Sequence, residues 1–310
     1  MDRPQKKLKL LHPVGDGNED ADAGPSNEES TPKIFKLNTD CFDETFEYLS
    51  LKDLHSFGQT CKRMNKVAGE YFKRNYSSIQ TWCEIGGIYT NYSDKDGYNP
   101  KRIKISGFSE FTPNISIDDD DLSYIQPHVS EFNSVKRITF DYSIIDNETI
   151  KFFEQLLGQL EMVLLLKCAI DAGLYHLMLQ HCGKLKKIFV RECKFNGHPI
   201  DEYEWLLHTY PKLEHLHLSA YEGIGKIEEL STFFERNPNV HRFSTDFDLI
   251  WDNRDVFSNS KIKLDILELG GSRSLLRTNL QEYLKLLNGL HDQGFYKRIY
   301  IDIGELDMDL

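Results

Sequence analysis

Histidines, cysteines and clustered carboxylates are the side chains whose chemistry would show first. The eleven histidines include the close pairs His176/His181 and His215/His217. Neither pair has partners at metal-site spacing. His215 and His217 stand two apart in a strand-like stretch, so they share one face, either as surface side chains or as a functional pair. Asp118–Asp121 is a run of four acids. It lacks the glycine and the spaced ligands of a calcium loop and reads as a solvated loop. The six cysteines are Cys41, Cys61, Cys83, Cys168, Cys182 and Cys193. They form no C-x-x-C, and reduced thiols are expected. Gly86-Gly87 and Gly270-Gly271 stand alone, without a phosphate-binding loop or a nucleophile elbow. The expectation is a binding protein without catalytic residues, cofactor or metal.

Composition narrows the class of partner. The chain has 310 residues, 40% of them hydrophobic and 28% charged, enough for a sizeable core. Its 49 acids outnumber 37 bases, for a formal charge of −12. Such a surface repels phosphate backbones and anionic membranes, so neither nucleic acid nor a membrane is expected. No apolar run approaches the ~18 residues of a membrane span. Residues 1–11 lack the apolar stretch of a signal peptide, so the cytoplasm, the nucleus or both are expected. Residues 1–32 open basic, turn acidic and are rich in Gly, Pro, Asn and Ser. This composition predicts a disordered tail. Its Lys6-Lys7-Leu8-Lys9 fits a nuclear localisation signal or a plain solvated tail.

Helical pattern begins at Lys33. Phe42, Phe46 and Leu49 have helical spacing behind a cap at Asn38 or Thr39. Ser50-x-x-Asp53 predicts the capped start of a second helix with Leu51, Leu54 and Phe57. A third helix runs from about Thr60 to Phe72, with Cys61, Met64, Val67 and Ala68 on one side. Three short helices make too small a core to stand alone, so the module is expected to dock on something.

Leu37 through Arg74 resembles an F-box. Its Leu-Pro-acid-Leu start is represented by Leu37, Asn38, Asp40 and Phe42, and the pair leading to a Leu by Thr45, Phe46 and Leu49. Leu51, Asp53 and Leu54 match the Leu-x-Asp-Leu stretch, and Thr60, Cys61, Lys62, Arg63 and Met64 the closing motif. Asn38, Phe42, Thr45, Thr60 and Met64 depart from the consensus residue types. The resemblance implies binding to a Skp-family adaptor and, through it, to a cullin-RING ligase. Carried over by position, the adaptor-binding residues are Leu37, Phe42, Phe46, Leu49, Leu51, Leu54, Phe57, Cys61 and Met64. Lys62, Arg63, Lys66, Lys73 and Arg74 make the module's second half basic, suited to an acidic partner.

Further on, apolar-x-x-apolar-x-apolar recurs, as in Val135/Ile138/Phe140, Leu160/Val163/Leu165, Leu185/Ile188/Val190 and Leu213/Leu216/Leu218. It continues at Val240/Phe243/Thr245, Leu264/Leu267/Leu269 and Tyr296/Ile299/Ile301, with a weaker instance at Pro100/Ile103/Ile105. From Ile103 the steps are 35, 25, 25, 28, 27, 24 and 32 residues. Amphipathic stretches at 147–159, 172–181, 201–209, 226–236 and 279–289 fit helices between the strands. The spacing resembles that of leucine-rich repeats. It implies an α/β fold: a three-helix F-box at 33–77, then a solenoid of about 7–8 repeats over 78–310, with a curved parallel sheet and outer helices. Cys168 and Cys193 share one repeat position, where the family places Asn or Cys structurally. Residues 78–134 carry the weakest pattern.

In such a solenoid the residues alternating with the core line a concave face. Met162, Leu164 and Leu166 are apolar there, with Phe189 one strand on and Lys187, Arg191, His215 and His217 around them. The pattern predicts a substrate site for an apolar segment with acidic or phosphorylated flanks. A covering loop, or a slip of one residue in register, would remove it. The combined expectation is a non-catalytic substrate receptor of an SCF-type ubiquitin ligase, feeding proteasomal degradation; the alternative is a non-degradative F-box/repeat scaffold.

Overall fold

The computed structural model describes residues 34, 37–84, 87–93, 100–118, 125–196, 203–219, 225–259, 262–270 and 273–302. The expected tail at 1–32, most of the Asp118–Asp121 run and the acidic end at Glu305, Asp307 and Asp309 lie outside them. Met1–Asn38 and Thr39–Leu310 form two units. The second holds all the elements that follow.

Three helices come first: α1 (Thr39–Phe46), α2 (Leu51–Gly58) and α3 (Lys62–Asn75). The expected cap forms at α2, where the Ser50 hydroxyl accepts from the Asp53 amide at 3.2 Å and donates to its carboxylate at 2.7 Å. Their interior is aromatic: Phe46 lies 5.3 Å from the rings of both Phe57 and Tyr71. Arg74 clamps α3 to α1 by donating to both carboxylate oxygens of Asp43 at 2.8 Å.

Among the described residues a sheet of eleven strands follows, with β1 (Thr81–Glu84), β2 (Gly87–Ser93) and β3 (Pro100–Lys104) together at one edge, β3 outermost. Strands β4 (Asn114–Ile117), β5 (Arg137–Asp141), β7 (Met162–Leu166), β9 (Lys187–Arg191) and β11 (His215–Ser219) pair in parallel. The parallel set continues through β12 (Arg242–Asp246), β13 (Leu264–Gly270) and β14 (Tyr296–Ile301). Ile138, Phe140, Val163, Leu165, Ile188 and Val190 alternate inward and are buried. Helices pack on that row: Phe153 of α4 (Asn147–Leu157) meets Phe140 at 5.4 Å, and Phe234 of α6 (Glu229–Arg236) meets Phe243 at 5.3 Å. The others on this stretch are α5 (Ala172–Gln180), α7 (Phe247–Asp252), α8 (Arg254–Asn259) and α9 (Arg273–Asp292).

Two expectations are corrected. Pro100/Ile103/Ile105 is no parallel rung: β3 (Pro100–Lys104) pairs antiparallel with β2 (Gly87–Ser93). The six intervening residues are too few for a parallel crossover, which takes a dozen or more. Instead β4 fills the rung beside β5, and β1 (Thr81–Glu84) pairs with it in parallel. The helix expected over 201–209 is a short 3-10 turn at Glu204–Leu207 among the described residues, anchored by buried Trp205 and Leu206.

The turns after β5, β7 and β9 repeat a strained feature. Tyr142, Lys167 and Glu192 all have positive φ, of 52°, 52° and 54°, which is costly for residues with a Cβ. Each is followed by a side chain that bonds back. Ser143 donates to the Asp141 carbonyl at 3.1 Å, Cys168 to that of Leu166 and Cys193 to that of Arg191, both at 3.3 Å. The two cysteines thus close turns. Strands β6 (Ile144–Ile145), β8 (Ala169–Asp171) and β10 (Lys194–Asn196) stack just beyond as a second parallel sheet.

Candidate functional site

The nine residues predicted for the adaptor surface divide by burial. Phe42, Phe46, Leu51, Leu54 and Met64 fill the module's own interior, at 2% exposure or less. Leu49, Phe57 and Cys61 are half-buried, and Leu37 is exposed. Tyr48, which the consensus match passed over, is 79% exposed beside Leu49. The helical period assigns Tyr48 no core role, which was the available signal.

The module is seated on the chain that follows it. His55 is 8% exposed, meets the Phe108 ring edge-on at 5.1 Å and accepts from the Gly107 amide through Nε2 at 3.2 Å. That bond requires the neutral ring, and burial lowers the His55 pKa. Asn65 donates to the Gly107 carbonyl at 2.8 Å. Phe108 and Phe111 press on Gly58 and Gly69, where a Cβ would lie 2.7 Å and 2.2 Å from the rings. Both glycines are therefore required by close approach.

The second surface is the sheet face opposite the helices. Its register is the predicted one: Val163 and Leu165 are fully buried, while Met162, Leu164 and Leu166 are half-buried on the other face. Leu164 pairs with Phe189, and Phe189 with His217. The His217 ring stacks on Phe189 at 5.3 Å, with 13° between planes. His215 meets the same ring at 4.7 Å, tilted by 68°. Lys187 and Arg191 are exposed at the rim.

The histidines do not supply the expected positive charge. Burial, then Arg242, pushes the His215 pKa down to about 3; burial, then Arg191, pushes His217 down to about 4. Both rings are neutral at pH 7. The positive rim near the patch is therefore Lys187 and Arg191, and the apolar area grows by the His217 ring.

A polar chain adjoins the patch. His215 Nε2 meets Ser244 Oγ at 2.7 Å, Ser244 donates to a Glu268 carboxylate oxygen at 2.5 Å, and Arg242 pairs with the other. The order matters chemically. In a hydrolytic triad the histidine stands between the hydroxyl and the acid. Here the hydroxyl stands between: Ser244 donates its hydrogen bond to the carboxylate, which leaves its oxygen to accept from the imidazole N–H. This chain satisfies buried polar groups and does not activate a nucleophile. Among the described residues no group of three or more His, Cys, Asp or Glu side chains could hold a metal, and no helix is long and apolar enough to cross a membrane.

Family comparison finds an F-box domain at residues 34–73, over the three helices. No curated protein sequence matches the chain. The helices at 39–75 fit the F-box, and a mixed α/β region with a parallel sheet follows. F-box domains bind Skp-family adaptors in cullin-RING ligases and are generally non-catalytic, which suggests an adaptor-binding, substrate-receptor role.

Proposed function

We propose that this chain is a substrate-recognition subunit of an SCF-type ubiquitin ligase. The F-box domain at 34–73 carries the reading. In this reading residues 33–77 dock the adaptor, residues 78–310 are a leucine-rich-repeat solenoid, and the tail at 1–32 is outside both. The open sheet face is its concave surface and captures a protein substrate on Met162, Leu164, Leu166 and Phe189, with His217 stacked alongside. Lys187 and Arg191 meet acidic or phosphorylated flanks, and His215 holds the rings in place. The chain does no chemistry. It raises the rate of ubiquitin transfer by proximity, acting in the cytoplasm, the nucleus or both. The 25-residue recurrence of the φ-positive turns supports the solenoid.

The test is co-purification. A Skp-family adaptor should come down with the wild-type chain and be lost when Tyr48 and Leu49 are changed to Lys, positions chosen because they leave the interior intact. Absence of the adaptor from the wild-type preparation would overturn the reading. A captured partner that fails to accumulate under proteasome inhibition would instead favour a scaffold.

A further inference from the structure

The turns after β7 and β9 bring two cysteines together. Parallel pairing sets Ala169 of β8 opposite Lys194 of β10, and the Lys194 amide donates to the Cys168 carbonyl at 2.8 Å. Cys168 and Cys193 therefore hold one position in adjacent rungs. Neighbouring strands lie about 4.8 Å apart, inside the Cα separation of about 4.4–6.8 Å that a disulfide spans. The side chains meet as well, since the two thiols share a hydrogen bond. Both are free thiols in the structure.

The two sulfurs differ in their surroundings. Cys168 is 2% exposed and donates to the Phe140 and Leu166 carbonyls, both at 3.3 Å. Cys193 is half-buried and donates to the Arg191 carbonyl at 3.3 Å. The Cys168 thiol lowers the Cys193 pKa against the opposing effect of burial, and the same contact, then burial, raises that of Cys168. The thiolate is the nucleophile, so Cys193 is the more reactive and the more accessible of the two. Ser143 holds the same position one rung earlier, where the Ala169 amide donates to its carbonyl at 3.0 Å and its hydroxyl closes the turn. Closing these turns therefore does not require sulfur.

We propose that Cys193 and Cys168 are a peroxide-responsive dithiol that closes reversibly into a disulfide between two rungs. The Cys193 thiolate attacks one oxygen of hydrogen peroxide. An S–O bond forms, the O–O bond breaks, and hydroxide leaves and takes up the proton that the thiol released. The Cys168 sulfur then attacks the sulfenic sulfur. The S–S bond forms, the S–O bond breaks, and hydroxide departs as water with the Cys168 proton. Two thiols together lose two electrons and two protons, and one peroxide becomes two waters. A dithiol reductant reverses the step by exchange. Transient disulfides of this kind are the ones found where thiols are otherwise kept reduced. The bond lies two residues beyond Leu166 and Arg191 of the open face, and its formation withdraws the S–H donors from their carbonyls.

The test exposes the reduced 310-residue chain to hydrogen peroxide, alkylates the remaining thiols and maps tryptic peptides by mass spectrometry. Cleavage after Lys184 and Arg191 separates the two cysteines. A dithiothreitol-sensitive link between their peptides should form about tenfold faster in the folded chain than in urea, where the sulfurs are no longer neighbours. Cys168→Ser and Cys193→Ser keep the turns closed as Ser143 does. Cys168→Ser should abolish the link and leave a sulfenic acid on Cys193 that dimedone traps, whereas Cys193→Ser should leave Cys168 reduced at the same peroxide dose. A link that does not form, or forms no faster in the folded chain, overturns the proposal. A link that survives Cys168→Ser also overturns it, because Cys182 lies on the same tryptic peptide and would be the partner instead. Dimedone trapped on Cys168 in the Cys193→Ser chain overturns the order of attack and the proposal with it.

Discussion

The two histidines beneath Phe189 make the sheet sensitive to mild acid, by an amount that follows from their pKa values. Each titrates near 6.5 when unfolded, whereas in the folded chain His215 is at about 3 and His217 at about 4. The folded state therefore binds fewer protons. The contribution is complete above pH 6.5 and declines as the pH falls through 6.5 toward the folded values. Between pH 7 and pH 5 an unfolded imidazole gains about 0.7 of a proton and these two gain almost none, about 2 kcal/mol each by linkage. His217 is half-buried, and water screening brings the pair to about 2–3 kcal/mol together.

The assay is urea denaturation at pH 7 and pH 5 for the wild type and for the double variant His215→Gln/His217→Gln. Glutamine at 215 keeps an N–H within reach of Ser244 and cannot be protonated. His55 and His208, also lowered by burial, are present in both proteins and cancel in the difference. The carboxylates cancel as well, Glu161 included. The wild type should lose about 2–3 kcal/mol more than the double variant over this interval. Equal pH dependence in the two proteins would refute the buried, neutral assignment.

Two further outcomes test the frame. Gly69→Ala sets two effects against each other. Alanine gains about 1 kcal/mol of helix propensity, but its Cβ would stand 2.2 Å from the Phe111 ring, an overpacking that costs about 1–3 kcal/mol. Steric conflict should win, with a net loss of up to about 2 kcal/mol of unfolding free energy, and a stabilised variant would contradict the seating of the F-box domain. Asn237, 2% exposed, accepts from the Tyr210 amide at 2.6 Å and donates to the carbonyls of His208 and Phe233 at 3.1 and 2.8 Å. Asn237→Ala leaves the Tyr210 amide and the His208 carbonyl without this partner, while the Phe233 carbonyl keeps the backbone N–H of residue 237, and should cost about 2–4 kcal/mol in the same measurement; a loss below 1 kcal/mol would mean water replaces the side chain.

Legibility in the sequence followed the period of the pattern. The inward triplets from Val135 onward placed the rungs, and their register wherever only one face is apolar, since a slip of one residue would expose it; at β7, Met162–Leu166 is apolar on both faces and the sequence left a slip open. The capping sequence Ser50-x-x-Asp53 gave the start of α2 to the residue. The antiparallel strands β1–β3 were not legible, since Pro100/Ile103/Ile105 satisfies the same triplet as a parallel rung. Only the short connection from Ser93 separates the two, and connection length is outside the triplet. Helices α7 and α8 escaped because at six residues each they are too short to show periodicity. The charge of the candidate site was illegible for a different reason. Alternation placed His215 and His217 on the correct face, but their neutrality comes from burial against Phe189 and from Arg242 and Arg191 on neighbouring positions. Such cross-strand neighbours are known only once the rungs are aligned.

The seating of the F-box domain bears directly on the proposed role. Ubiquitin transfer assisted by proximity depends on holding a target at a fixed distance and angle from the ligase machinery. A flexible linker between docking module and capture face would spread the target over many positions and dilute that effect. Here the connection is packed instead. Phe108 and Phe111 enter gaps left by Gly58 and Gly69, His55 and Asn65 both bond to Gly107, and Lys73 reaches Ser134 at 3.3 Å. The last turn of the module also touches the sheet, where Asn114 donates to the Ile79 carbonyl at 3.0 Å and Arg137 to that of Ser77. Arg137 stands at the start of β5, in register with Met162 of the open face. One side chain thus ties the end of the helical module to the open face, so the two proposed surfaces share one packed frame.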